Sequence, residues 1–364
     1  MLFATETINK TPVERLVKLW SKRYTPDVST LLFQNSNFVW NELVETVSLE
    51  GRTKTIFKLE RLLEIHCKCA GIQTNALFSY IPNIMNLWES QRIAELAGQV
   101  YRKALDVYQQ QSPSPDWFAK MPTMGTANFS TYTKWWWTIP GLELSALKQL
   151  TKAVDGSYKE LRSQYLSAKD SRAIGFMSTQ FHFSSRLLTN RLTVSEQLLL
   201  NPYFKFLEEQ VCIPWQRVCA AAAKYDLNSP ALTIVEQLLP ISTEIAKTVH
   251  HQAVQLNPNH RSLRGKLDNP EVKASSIRDI EMFQGYLWLC VLEGNMTAVE
   301  KELLPLCRIV FPAVNVTWEL VEQLLPLLVS EIKARVKPEQ MKLVLPYTQA
   351  MQQLFSQPSR KGND

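Results

Sequence analysis

The sequence is short of glycine and of long apolar runs. Only 11 of its 364 residues are glycine, and apolar residues recur mostly at three- and four-residue spacing. Tight turns between β-strands favour glycine, so a shortage of glycine argues against a protein built from β-hairpins. Apolar residues at three- and four-residue spacing lie on one face of a helix. No apolar run approaches the roughly 18 residues that cross a bilayer. These features predict an all-α protein without a transmembrane segment.

The sequence also lacks the marks of a secreted protein. Residues 1–10 contain no basic segment followed by a long apolar stretch and a small-residue cleavage site. Six cysteines are spread mostly through apolar helical stretches, which is typical of reduced thiols and not of a disulfide framework. They are Cys67, Cys69, Cys212, Cys219, Cys290 and Cys307. We therefore predict a cytoplasmic protein in a reducing compartment.

Nucleic-acid binding has weak support in the charge pattern. The net charge is +6 at pH 7, and Lys and Arg alternate with Asp and Glu along the chain. A nucleic-acid binder usually gathers its basic residues on one face or in one run. We therefore do not expect a nucleic-acid partner.

The sequence has no motif for catalysis or metal binding. It lacks a glycine-rich phosphate loop, a nucleophile elbow, a zinc-hydrolase motif and a glycosidase carboxylate pattern. The His66–Cys69 segment does not have the ligand spacing of a metal site, which favours core or surface roles. His250 and His251 end a helix predicted over 231–254, and we expect them as cations that stabilise its C-terminus. We assign no catalytic or metal-binding residue and do not predict an enzyme.

Prolines and polar residues divide the chain into four segments. At about 150 residues a domain, the length predicts two folded domains. Gln109–Pro115 contains two prolines among polar residues, which end any helix and mark an internal boundary. The prediction is an N-terminal helical domain at 1–111, a linker with short helices at 112–180, a second helical domain at 181–358 and a disordered tail at 359–364.

Several helix starts are marked by local signals. Thr11-Pro12, followed by Glu14, and Thr25-Pro26 combine a capping residue with a first-turn proline. Thr193 with Glu196, and Thr297 with Glu300, have the spacing of a capping box, in which each side chain accepts the other residue's backbone N–H. The predicted helices cover 12–23, 26–48, 53–70, 74–110, 142–153 and 155–168.

An aromatic-rich stretch lies between the predicted domains. Residues 121–141 are rich in Thr, Pro, Gly and aromatic residues and include Trp135-Trp136-Trp137. Large apolar side chains of this kind can hold an ordered strap between two domains. An exposed contact patch for a partner is the alternative.

Residues 276–295 are the most informative segment. Their apolar residues fall on one face, which predicts an amphipathic helix packed against a core. Gly294 follows the last periodic position, where a left-handed helix end favours a residue without a β-carbon. Arg278 and Asp279 fall in the first turn of the predicted helix, where the dipole favours Asp. The residues on the apolar face are Ile280, Phe283, Leu287, Cys290 and Val291.

This segment resembles the bilin-attachment region of the phycobiliproteins. The family pattern is Cys-x-Arg-Asp, an aromatic-rich helix and a glycine soon after it, and Arg278, Asp279 and Gly294 match that spacing. The Leu-rich helix after residue 299, the turn at 311–316 and the helix that follows also resemble the family. The resemblance covers about 190–356 and implies a globin-like helical domain, preceded by an N-terminal helical domain that resembles no family.

The resemblance also implies roles for individual residues. In the family the cysteine forms a thioether to a linear tetrapyrrole, the aspartate bonds the inner pyrrole nitrogens, and the arginine pairs with a propionate. Here Ser276 stands at the cysteine position, and a serine hydroxyl is a far poorer nucleophile than a thiol near neutral pH. Covalent attachment is not expected. Ser276, Arg278 and Asp279 are therefore candidate contacts for a noncovalent bilin, and a purely structural role is the open alternative.

The function that the resemblance implies is binding. We expect a photosynthesis-related protein of a cyanobacterium or similar phototroph, similar in kind to the bilin-biosynthesis-associated globins, that harvests no light. It would be an accessory or scaffold in bilin biosynthesis or phycobilisome assembly, with phycobiliproteins, linker proteins or bilin-biosynthesis enzymes as partners. Homo-oligomers and a peripheral position at the thylakoid are open by analogy. The alternative is a noncovalent bilin carrier or photosensor, and a tetrapyrrole-processing enzyme has the least support.

Overall fold

The computed structural model describes residues 11–24, 36–79, 86–114, 116, 144–161 and 173–356. These residues are almost entirely helical, which confirms the all-α prediction. The α-helices are α1 (Pro12–Ser21), α2 (Ser36–Val47), α3 (Leu49–Phe78), α4 (Leu87–Gln110), α5 (Leu144–Leu161), α6 (Ala173–Thr189), α7 (Val194–Cys212), α8 (Trp215–Ala222), α9 (Pro230–Leu238), α10 (Ser242–Leu256), α11 (Pro270–Glu293), α12 (Leu304–Ala313), α13 (Trp318–Arg335) and α14 (Pro338–Ser356). Short 3-10 or π-helical turns lie at Lys22–Tyr24, Leu239–Ile241 and Val299–Leu303. An antiparallel ladder pairs β1 (Arg261–Ser262) with β2 (Gly265–Lys266).

The chain forms two compact units. The first unit joins Met1–Arg23 to Cys212–Asp364, and the second unit is Tyr24–Val211. This division does not follow the predicted segment ends at residues 111 and 180, because α1 packs with α8 and α9, whereas α6 packs with α3 and α4. The segment ends remain a prediction about where independently folding domains begin and end.

Three tryptophans meet in the first unit. Trp20 of α1 stacks on Trp215 of α8 with ring centroids 4.2 Å apart, and it meets Trp288 of α11 edge-on at 6.2 Å. Trp20 and Trp288 are fully buried. Large aromatic side chains bury more apolar surface than any other residue type. The first helix of the sequence therefore belongs to the core of this unit.

A buried ion pair also joins the end of this first helical segment to the unit. Nη2 of Arg23 lies 2.8 Å from Oε2 of Glu281, a residue of α11. Arg23 donates through Nη1 to Oγ of Ser242 at 2.6 Å, and the hydroxyl of Thr243 donates to the other carboxylate oxygen of Glu281. These hydrogen bonds replace the water that both charged groups lose on burial.

The second unit is organised around the long helix α3. It packs against α4 and α6, and α5 packs against α4. Arg52 of α3 is buried and donates to the carbonyl oxygens of Val47 at 3.0 Å and Tyr108 at 2.9 Å. Its guanidinium carbon lies 4.4 Å from the centroid of the Tyr108 ring. Carbonyl oxygens and an aromatic face thus surround this buried cation.

Two predicted helix starts are confirmed in detail. Oγ1 of Thr11 accepts the N–H of Glu14 at 3.2 Å, and the carboxylate of Glu14 accepts the N–H of Thr11 at 3.0 Å. Thr193 and Glu196 make the same reciprocal bonds at 3.3 Å and 2.8 Å. Each pair satisfies two backbone donors that the first helical turn leaves open.

The capping box predicted at Thr297 and Glu300 is wrong. Thr297 already has helical backbone geometry, so it stands inside the helix and not at its cap. Its N–H donates to the side-chain oxygen of Asn295 at 3.0 Å, and the N–H of Glu300 donates to the carbonyl of Met296 at 3.0 Å. The side chain of Asn295 thus accepts a backbone N–H at this helix start, as the side chain of Thr297 was expected to do.

Several predicted helix limits also differ. Residues 144–161, which were predicted to lie in two helices over 142–153 and 155–168, form one helix, α5. The exposed Gly156 within it lowers helix stability without ending the helix. The helix predicted over 231–254 is divided at Leu239–Ile241, where Pro240 removes a backbone donor. The helix predicted from residue 74 starts at Leu87, while residues 74–78 continue α3.

Some predictions lie outside the described residues. These are the helix start at Thr25-Pro26, the strap with Trp135-Trp136-Trp137, and the tail at 359–364.

Candidate functional site

The helix that carries the candidate site begins earlier than predicted. Asn269 caps α11, its side chain accepts the N–H of Glu271 at 3.0 Å, and Pro270 is the first helical residue. Arg278 and Asp279 therefore lie more than two turns inside the helix. Their predicted place in the first turn is wrong, and the helix dipole does not account for Asp279, because its effect falls off within the first turn.

Ser276 is hydrogen-bonded to a histidine of the neighbouring helix. Its Oγ lies 3.0 Å from Nδ1 of His250 on α10, and α10 packs against α11. Ser276 is half-buried, whereas His250 is 3% exposed. The structure thus brings together one residue that the resemblance singled out and one that was expected only to end a helix.

The surroundings of His250 disfavour its charged form. Burial lowers its pKa, and the positive charges of Lys273 and His251 lower it further. The prediction that His250 acts as a cation at the helix end is therefore wrong, since desolvation disfavours the charged imidazole. An uncharged imidazole can exchange hydrogen bonds with the Ser276 hydroxyl in either tautomer.

Arg278 and Asp279 pair with each other. Nε and Nη2 of Arg278 donate to Oδ1 of Asp279 at 3.3 Å and 3.1 Å. The two side chains are 25% and 29% exposed. A half-exposed pair of this kind contributes little to stability, roughly 0–1 kcal/mol. It can therefore open at small cost if another anion or donor competes.

From Ile280 to Leu292, α11 is buried on every side. The predicted apolar face is confirmed, since all five of its residues are buried. Leu289 on the opposite side of the helix is buried as well, and so are the polar side chains of Glu281 and Gln284. Met282, Phe283 and Tyr286 are also buried, and the ring of Phe283 lies 5.2 Å from that of Phe355. The predicted helix end is confirmed, because Gly294 has a left-handed backbone with φ of 71°.

A surface groove lies elsewhere in the same unit. It runs between α13 and α14, has a volume of about 370 Å³, and does not include Ser276, Arg278 or Asp279. Its lining residues are Glu322, Leu325, Pro326, Gln349, Gln352, Gln353 and Ser356.

Sequence reasoning missed the polar partners of the site. His250 precedes Ser276 by 26 residues, so no local spacing connects them. The sequence does indicate the observed start of α11, because Asn269-Pro270 combines a capping residue with a first-turn proline. That signal would have placed Arg278 and Asp279 inside the helix.

The part of the chain that contains the candidate site matches a known protein family. Residues 217–354 match the family model described as phycobilisome protein. They form a phycobilisome protein domain. The phycobilisome protein domain contains Ser276, His250, Arg278 and Asp279, and it lies within the region 190–356 where the resemblance was found. It covers less than half of the chain and is preceded by helices of both units.

Neither the curated proteins nor the solved structures gave a match to this chain. Within the described ranges, no three His, Cys, Asp or Glu side chains stand close enough together to hold a metal ion. None of the described helices is long and apolar enough to span a membrane.

Proposed function

We propose that the protein is a non-light-harvesting relative of the phycobiliproteins that acts by binding, as an accessory or scaffold in bilin biosynthesis or phycobilisome assembly. The observation that carries the proposal is the set of polar contacts at the predicted attachment position. Ser276 is bonded to His250, and Arg278 is bonded to Asp279. The side chains that would contact a bilin are thus hydrogen-bonded to other side chains of the same chain.

The apolar side of α11 supports the same proposal. Met282, Phe283 and Tyr286 follow the Arg278–Asp279 pair and are all buried. Their side chains occupy the interior beside the helix that would carry the pigment. The interior of this domain is filled by its own side chains, while Arg278 and Asp279 are half-exposed at its surface. Such a domain is suited to presenting a surface to another protein. Phycobiliprotein subunits, linker proteins and bilin-biosynthesis enzymes are the proposed partners.

A pigment-binding experiment tests this proposal first. The full chain is mixed with phycocyanobilin or biliverdin, and absorption is recorded before and after gel filtration and after acid-urea denaturation. We expect no pigment to elute with the protein. Colour that elutes with the protein and is lost on denaturation would instead identify a noncovalent bilin carrier or sensor.

A binding experiment tests the positive side of the proposal. Purified phycobiliprotein hexamers, linker proteins and bilin-biosynthesis enzymes are each mixed with the full chain and separated by gel filtration. We expect at least one of these classes to elute in a complex with the chain. Independent elution from all three classes would contradict the scaffold proposal.

One observation favours the alternative, a noncovalent bilin carrier or photosensor. Arg278 and Asp279 remain 25% and 29% exposed, so a ligand could reach both side chains. The Asp279→Asn variant separates the two functions. A bilin site would lose affinity or change its absorption, whereas a scaffold would keep its protein partner. Asp226→Asn, an exposed position in the same domain, is the matched control.

A further inference from the structure

The hairpin between α10 and α11 presents two exposed cations, Arg261 and Lys266, opposite each other. From residue 245 to residue 267 the sequence has no Asp or Glu, but it has Lys247, Arg261, Arg264 and Lys266. Arg261 and Lys266 are direct partners across the β1–β2 ladder, and both are exposed. Like charges directly opposite each other destabilise an antiparallel pair. An anionic surface would relieve this repulsion.

The same hairpin exposes aliphatic side chains. Leu263, in the turn between the two strands, is 59% exposed, and Leu256 at the end of α10 is 61% exposed. Leu267, by contrast, is buried against Val272 and Leu320. Tight turns favour Gly, Asn, Asp and Ser, so a solvent-facing leucine in this turn contributes nothing to its geometry.

The turn is held in one conformation. The N–H of Leu263 donates to the carbonyl of Val314 at 2.8 Å, and Oγ of Ser262 donates to the carbonyl of Gly265 at 3.1 Å. Gly265 has φ of 127°, which other residues rarely adopt. A turn that is already ordered loses little conformational entropy when it binds.

We propose that this hairpin binds an anionic lipid surface. Leu263 enters the boundary between headgroups and acyl chains, and Arg261 and Lys266 lie at the level of the lipid phosphates. Apolar side chains flanked by cations are what such a surface recognises. A specific protein partner buries roughly 800 Å² on each side, far more than one turn with a single leucine provides. The inference is independent of the proposed scaffold function.

Vesicle flotation of the full chain tests the proposal. One set of vesicles is phosphatidylcholine alone, and the other is an equal mixture of phosphatidylcholine and phosphatidylglycerol. We expect binding to the mixed vesicles only, weakened by added salt because salt screens the surface potential. The double variant Arg261→Glu/Lys266→Glu should reduce partitioning about thirtyfold or more, at about fivefold for each cation removed. Leu263→Ser should reduce it several-fold with no change in charge.

The control carries the same charge change elsewhere in the unit. Lys333→Glu/Lys342→Glu alters two exposed lysines of α13 and α14 and should keep most of the binding. Circular dichroism checks that each variant is folded. Equal binding to both kinds of vesicle, binding to neither, or an equal loss in the control would overturn the proposal. Unchanged vesicle binding by the hairpin variants, with lost binding to immobilised polyglutamate, would assign the hairpin to an acidic protein instead.

Discussion

Arg23 and Glu281 stand 258 residues apart in the sequence and form an ion pair 2.8 Å long, with only 3% and 2% of their side chains exposed. The attraction between buried charges is largely offset by the loss of their hydration. Such a pair therefore adds little stability compared with apolar residues of the same volume. Removal of one partner is far more harmful, because the other charge stays buried alone.

We expect Glu281→Gln to lower the free energy of unfolding by about 3–5 kcal/mol. Urea denaturation followed by tryptophan fluorescence measures the loss. The double variant Arg23→Met/Glu281→Leu should regain more than half of it, since neither charge is left behind. The exposed pair of Lys68 and Glu64 is the control, and Lys68→Met should leave the free energy of unfolding nearly unchanged. A double variant that loses as much as Arg23→Met and Glu281→Leu lose together would contradict the coupling.

A pH dependence follows from His250. Burial, with the charges of Lys273 and His251, lowers its pKa in the folded protein, whereas the unfolded chain binds a proton near pH 6.5. Below about pH 6.5 the unfolded state holds more protons, so the free energy of unfolding falls as the pH falls and levels off above that value. His250→Gln should make this fall smaller.

The slope measured in urea from pH 5 to 8 checks this prediction. Burial also lowers the pKa of His66 and of His260, so part of the slope should remain in the His250→Gln variant. An unchanged slope in that variant would show that His250 is protonated equally in both states.

Ser276→Cys should create a reactive thiol. The native buried cysteines react slowly, because burial raises the pKa of Cys67 to about 11 and of Cys290 to about 12. Position 276 is half-exposed, and an imidazole lies at hydrogen-bonding distance. In a Cys69→Ser background, which removes an exposed thiol, we expect iodoacetamide to modify the new cysteine at least about tenfold faster than the others.

Mass spectrometry of the alkylated peptides measures these rates. Adding His250→Gln should slow the reaction, because the imidazole can no longer take up the thiol proton. A new cysteine that reacts no faster than Cys290 would mean that the position is closed to ligands of any size.

Two glycines should respond in opposite ways to alanine. Gly294 ends α11 with φ of 71°, so Gly294→Ala should lower stability by about 1 kcal/mol. Gly156 lies inside α5 with no atom within 4 Å of a built β-carbon, so Gly156→Ala should raise stability by about 0.5–1 kcal/mol. Thermal denaturation of both variants measures the difference. A stabilised Gly294→Ala variant would exclude the left-handed helix end.

Local signals in the sequence predicted local structure well. The reciprocal bonds of Thr11 with Glu14 and the left-handed Gly294 depend only on neighbours within one helical turn. Packing between distant segments left no such signal. Nothing near Trp20 indicates that its ring stacks on Trp215, because that contact is chosen by the shape and volume of the whole core.

The candidate site shows the same limit. Ser276, Arg278 and Asp279 could be named from a family pattern, but the bond from Ser276 to His250 depends on how α10 packs on α11. The protonation state of His250 was mispredicted for a related reason. Its charge is set by burial in three dimensions, and a position near a helix end does not reveal that burial.

The first unit is formed from two separate parts of the chain, and this has a consequence for its synthesis on the ribosome. Its earliest part, up to Arg23, is made before the roughly 190 residues of the second unit, and its remainder starts at Cys212. At roughly 5–20 residues per second, Trp20 waits about 10–40 seconds for Trp215, and Arg23 waits about 13–52 seconds for Glu281. During that interval the amphipathic helix α1 is without the native partners of its apolar face. The second unit can complete its fold while the first is still unfinished, so chaperone capture of the nascent chain should act on α1.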